Sequence, residues 1–89
     1  MAHLIKALGV GLLLLAGSVF ALPGQVNVNT ASAEELAEML NGVGLARAEA
    51  IIEHREQYGR FENLADLEEV RGIGPHTIEV NTDVIAFSD

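Results

Sequence analysis

Apolar positions along this chain fall into two regimes. From Ala7 to Leu22 they form one long run with Leu12-Leu13-Leu14-Leu15 at its centre, whereas from Ser32 onward they recur every three or four residues between acids, the spacing of amphipathic helices. Ser32 and Glu35 form a capping box that starts a first helix, with Leu36, Met39 and Leu40 on one face, and Asn41-Gly42 stops it. A second helix is predicted from Leu45 to Gln57. Ala48, Ile51, Ile52 and the stem of Arg55 share its apolar face, Glu49, Glu53 and Glu56 point elsewhere, and Tyr58-Gly59 ends it. Glu49 and Glu53 repel at i,i+4, a conflict tempered by Arg47 and Arg55.

Arg60-Phe61-Glu62 reads as a connector whose phenylalanine plugs the gap between two halves. Asn63 then caps a third helix with Asp66 at its third position, turning Leu64, Leu67 and Val70 inward. Residues Arg71 to Gly74 break that helix, and Pro75 suits the first position of a fourth. Ile78 and Ile85 would share a face there, but Asn81 and Thr82 lie between them and Val80, Thr82 and Val84 are β-branched, so this helix is expected to fray or end early. Gln25 to Asn29 alternates polar and apolar residues over too short a span for a strand and reads as an extended linker.

The leading apolar run has the layout of a secretory signal peptide: a short start carrying Lys6, a hydrophobic stretch, and Val19-Phe20-Ala21 before the helix-breaking Leu22-Pro23-Gly24. The alternative is an uncleaved anchor, but the 16 residues from Ala7 to Leu22 fall short of the ~20 that a spanning helix needs. The expected organisation is therefore a signal peptide over 1–21, cleaved near Ala21, a linker over 22–28, and one domain over 29–87, in an exported and periplasmic or otherwise extracytoplasmic protein. Export brings an oxidising compartment, yet the chain has no cysteine. Thiol catalysis, cysteine metal sites and disulfide bracing are all excluded, and a small core must rest on helix packing or a partner.

The two halves repeat at an offset of thirty positions, with Leu40-Asn41-Gly42-Val43-Gly44 matching Val70-Arg71-Gly72-Ile73-Gly74, each flanked by a short acidic helix before and a second helix after. A single Gly-x-Gly is weak evidence; two with the same flanks are strong. Glycine permits the tight reversal and clears side chains from the backbone N–H groups at the next helix start, where they and the helix dipole suit a phosphate. Val43 and Ile73 would point into the core. Two such sites, Gly42-Val43-Gly44-Leu45-Ala46-Arg47 and Gly72-Ile73-Gly74-Pro75-His76-Thr77, could hold two backbone phosphates of a duplex at once, with little sequence preference. The alternative is a pair of helix C-caps in a four-helix mini-bundle with no ligand.

Net charge weighs against a polyanion. Beyond the signal segment four arginines stand against thirteen acids, a net charge of −9, far from the basic profile of a typical nucleic-acid domain. A protein-interaction or scaffold module of the cell envelope that kept the fold and lost DNA binding is therefore the competing reading. Asn27-Val28-Asn29-Thr30-Ala31-Ser32, the two glycine hairpins, Ala48, Ile51-Ile52, Arg55, Gly59, Phe61, Leu64, Leu67 and Pro75 together resemble the helix-hairpin-helix domain of ComEA-type competence proteins over nearly all of the chain beyond the signal segment. The resemblance implies an all-α tandem helix-hairpin-helix fold of four to five short helices in a compact pseudo-two-fold bundle, behind the N-terminal signal helix. It further implies a double-stranded DNA partner bound without sequence preference, a role in DNA uptake during transformation, and pilus or inner-membrane channel components as further partners. The sequence departs from the family at His76, where a basic residue is common, and at Asn81-Thr82-Asp83 in the fourth helix.

No cofactor, metal or catalytic site is expected. His54 with Glu49 and Glu53 lacks a convergent third ligand and reads as a solvated face. His76 is either an exposed first-turn residue or, when protonated, a phosphate contact. The acids Glu34, Glu35, Glu38, Asp66, Glu68 and Glu69 mostly occupy early helix positions that the dipole favours.

Overall fold

The computed structural model describes residues 24–89; the expected signal peptide over 1–21 lies outside the described residues. Four helices follow in order: α1 (Ala33–Met39), α2 (Gly44–Tyr58), α3 (Leu64–Glu68) and α4 (Pro75–Asn81). They bear out the all-α fold. Two two-residue strands, β1 (Val26–Asn27) and β2 (Ile85–Ala86), flank them and pair in parallel.

The local signals act as the sequence requires. Ser32 accepts from the Glu35 N–H at 3.1 Å while Glu35 accepts from the Ser32 N–H at 3.1 Å, closing the capping box of α1. Asn63 accepts from the Asp66 N–H at 2.9 Å, and the Asp66 carboxylate accepts from the Glu62 N–H at 2.8 Å, so two side chains close the start of α3. At the far end of α2, the Gly59 N–H donates to the Arg55 carbonyl at 3.0 Å.

α1 packs on α2, and α3 on α4. The repeat is visible in the core: Leu40 and Val70, Val43 and Ile73, and Ala48 and Ile78 are buried pairs thirty residues apart. Phe61 is 1% exposed and fills the seam, as its place in the connector predicts. At the next equivalent pair the chemistry diverges, since Ile51 is matched by Asn81, and both are 1% exposed.

One expectation needs correction in full and another in part. Residues read as a linker belong to the domain, because Val26 and Val28 are 4% and 0% exposed and their N–H groups donate to Val84 and Ala86 carbonyls at 2.8 and 3.0 Å. A strand this short is held by a partner some sixty residues away, which local alternation cannot reveal. The fourth helix does end early, at Asn81, as its polar and β-branched residues predict, but Ile78 and Ile85 share no helix face and reach the core from different elements. Thr82 Oγ1 donates back to the Ile78 carbonyl at 2.9 Å at this helix end, the back-bonding that competes with continued helix.

Candidate functional site

The N-termini of the four helices fall into two kinds. α1 and α3 are capped by their own side chains and carry acids in the first turn. α2 and α4, which follow the glycine hairpins, have no side-chain cap and no acid in the first turn. In a chain with thirteen acids, the positive ends of these two helices carry no acid of their own. By position in the helix, the N–H groups of Gly44, Leu45 and Ala46 at α2 and of His76 and Thr77 at α4 have no intrahelical acceptor, and Pro75 has no N–H to leave unpaired.

The glycines differ between the hairpins. Gly42 and Gly44 have φ of 77° and 69°, and Gly72 has φ of 93°, all in the left-handed region that favours glycine. Gly74 has φ −105° and ψ 179°, a conformation open to any residue. A Cβ added at Gly74 would meet nothing within 4 Å, so neither backbone nor packing demands glycine there. What the missing side chain leaves is an open approach to the start of α4.

Of the predicted site residues, Gly42, Gly44, Leu45, Ala46, Arg47, Gly72, Pro75 and His76 are exposed, and Gly74 and Thr77 are half-buried. Val43 and Ile73 are 2% and 5% exposed, so they act by anchoring the hairpins and their side chains are closed to a ligand. Arg47 does more than serve the first hairpin. A Cβ on Gly72 would lie 3.2 Å from its Nε, 3.3 Å from Cγ and 3.4 Å from Cδ, so the arginine of one hairpin lies across the glycine of the other.

Sequence reasoning missed the residue that ties the hairpins together. Asn81 Oδ1 accepts from the Asn41 N–H at 2.7 Å, and its Nδ2 donates to the carbonyls of Asn41 and Thr77 at 2.9 and 2.8 Å. A side chain read as a departure in the fourth helix is thus a buried, fully bonded brace from α4 to the first hairpin. The thirty-residue match of Asn81 to Ile51 was the available signal, because a polar group at a core position needs a partner. His54 also differs from expectation. It is half-buried, its ring 4.7 Å from Tyr58 and stacked 5.3 Å from Phe61, with Nδ1 buried and unpaired. The aromatic connector, which packs back on α2, removes it from the solvated face.

A repeated hairpin of this geometry, two helices joined through Gly-x-Gly with the second helix start left open, defines a class, and the chain belongs to the helix-hairpin-helix motif family, whose profile matches residues 24–85. An uncharacterized protein of Haemophilus influenzae is 48% identical over 63 residues, which cover 71% of this chain and 56% of that protein. ComE operon protein 1 of Bacillus subtilis is 50% identical over 54 residues, 61% of this chain and 26% of that protein, which bears out the ComEA-type resemblance. The human endonuclease/exonuclease/phosphatase family domain-containing protein 1 is 44% identical over 55 residues, 10% of its length. The chain thus spans about half, a quarter and a tenth of these relatives.

Proposed function

We propose that the chain is an exported, non-catalytic module that binds double-stranded DNA without sequence preference and takes part in DNA uptake. The observation that carries this reading is the pair of uncapped, acid-free helix starts behind the glycine hairpins, where the other two helix starts among the described residues are capped and acidic. Backbone N–H groups at Gly44 to Ala46 and at His76 and Thr77 would receive phosphates, and Arg47 would add charge between them. No base edge is needed for such contacts, hence no sequence preference. The similarity to a ComE operon protein supports competence as the setting, and the leading apolar run supports export. Pilus or channel components are the partners that this setting implies.

Acidity favours a second reading, a scaffold that keeps the fold without the ligand. Gly74→Glu separates the two. Its backbone accepts any residue and space is open, so the variant folds but places a carboxylate at the start of α4. Fluorescence anisotropy with random-sequence duplex at low and moderate salt should show binding by the unaltered chain and at least a tenfold loss in Gly74→Glu. No binding at low salt by the unaltered chain would leave the scaffold reading standing.

A further inference from the structure

Of the five asparagines in the chain, four have their side-chain amides occupied. Asn27 donates to the Asp89 carboxylate and accepts from the Asn29 N–H, at 2.8 and 2.9 Å. Asn29 holds the Phe61 and Phe87 carbonyls, Asn63 caps α3, and Asn81 forms the brace. Each is followed by a residue with a side chain: Val28, Thr30, Leu64 and Thr82. Asn41 differs on both counts. It is exposed, the bonds it makes to Asn81 use only its backbone, and its side-chain amide has no hydrogen bond among the described residues. The residue after it is Gly42.

Asparagine is chemically labile because the backbone nitrogen of the next residue can attack its side-chain carbonyl carbon. A side chain on that next residue hinders the attack, and so does a hydrogen bond that holds the attacking N–H. Gly42 presents neither obstacle. It has no Cβ, a Cβ built there would meet nothing within 4 Å, and its N–H has no acceptor among the described residues.

We infer that Asn41 is a site of spontaneous deamidation that alters the first hairpin. The Gly42 nitrogen bonds to Asn41 Cγ and gives up its proton, the Cγ–Nδ2 bond breaks, and ammonia leaves with that proton. Water then opens the five-membered imide at either carbonyl, giving aspartate or isoaspartate. Both products place a new negative charge beside the first glycine of the hairpin. Isoaspartate also adds one carbon to the main chain inside the brace, where Asn81 holds both the N–H and the carbonyl of Asn41, so one side chain no longer spans both groups. The modification stands on this geometry alone, while its effect on DNA rests on the DNA-binding reading above.

The test ages the folded chain in mildly alkaline buffer beside a urea-unfolded sample, maps the peptides by mass and measures isoaspartate by enzymatic methylation. The expected result is loss of the amide at Asn41 ahead of the other asparagines in the folded chain, and none at that position in Asn41→Gln, whose longer side chain closes no five-membered ring. Deamidation of Asn41 only in the unfolded sample, or no sooner than the others, would overturn the site. Asn41→Asp and the isoaspartyl form, separated by ion exchange, are then titrated with random-sequence duplex. Asn41→Asp should bind roughly fivefold more weakly at low salt, and the isoaspartyl form should also melt at a lower temperature. Equal binding by Asn41→Asp would overturn the effect on the hairpin and leave DNA binding in place. No binding by the unaltered chain would overturn the DNA-binding reading, with the deamidation still read by mass.

Discussion

Gly72 and Gly74 stand two positions apart and are glycine for different reasons. Gly72 has φ of 93° with Arg47 lying over it; a left-handed backbone costs a side-chain-bearing residue about 1–2 kcal/mol. Gly72→Ala is therefore expected to destabilise the domain by about that amount, seen as a lower denaturant midpoint at constant m, and to dislodge Arg47. Gly74→Ala should stay within about 0.5 kcal/mol of the unaltered stability, because its backbone is extended and its surroundings are open. A loss of several kcal/mol there would mean that the second hairpin is built differently. Asn81→Leu offers a sharper test of the brace: it keeps the size but takes the partner from both the Asn41 N–H and the Asn41 carbonyl. A drop of about 1–3 kcal/mol follows from the part-buried backbone groups left unpaired, and an unchanged midpoint would remove Asn81 from its positioning role.

At the scale of elements, what the sequence revealed depended on how far apart the determining contacts lie. The caps at Ser32 and Asn63, the breaks at the glycines and the inward Val43 and Ile73 depend on residues within a few positions, and all were legible. β1, the Asn29 side chain bonded to the Phe61 and Phe87 carbonyls at 3.0 and 2.8 Å, and the Asn81 brace join positions 32 to 59 residues apart, and alternation over a handful of residues carries no trace of them. Their importance can be measured. Deleting residues 25–28 should lower stability by about 3–6 kcal/mol, since two valines that each contribute about 1.5–3 kcal/mol are lost from the core. For a domain this small that is enough to abolish a cooperative melt. If these residues were only a linker, the melt would be unchanged.

For the molecule as a whole, net charge and local charge point in opposite directions. Thirteen acids set up a repulsive field at long range, while the surface between the hairpins shows a glycine opening, uncapped N–H groups and Arg47 lying over Gly72. Binding should accordingly be weak, steeply salt-dependent and confined to one face, with few phosphates engaged. That confinement is the central claim. The most direct measurement is a titration of the isotope-labelled protein with a short random-sequence duplex at low salt, followed by amide chemical shifts. Shifts concentrated at residues 42–47 and 71–77 are the predicted result; shifts centred instead on the acidic starts of α1 and α3, or none at all, would contradict the account.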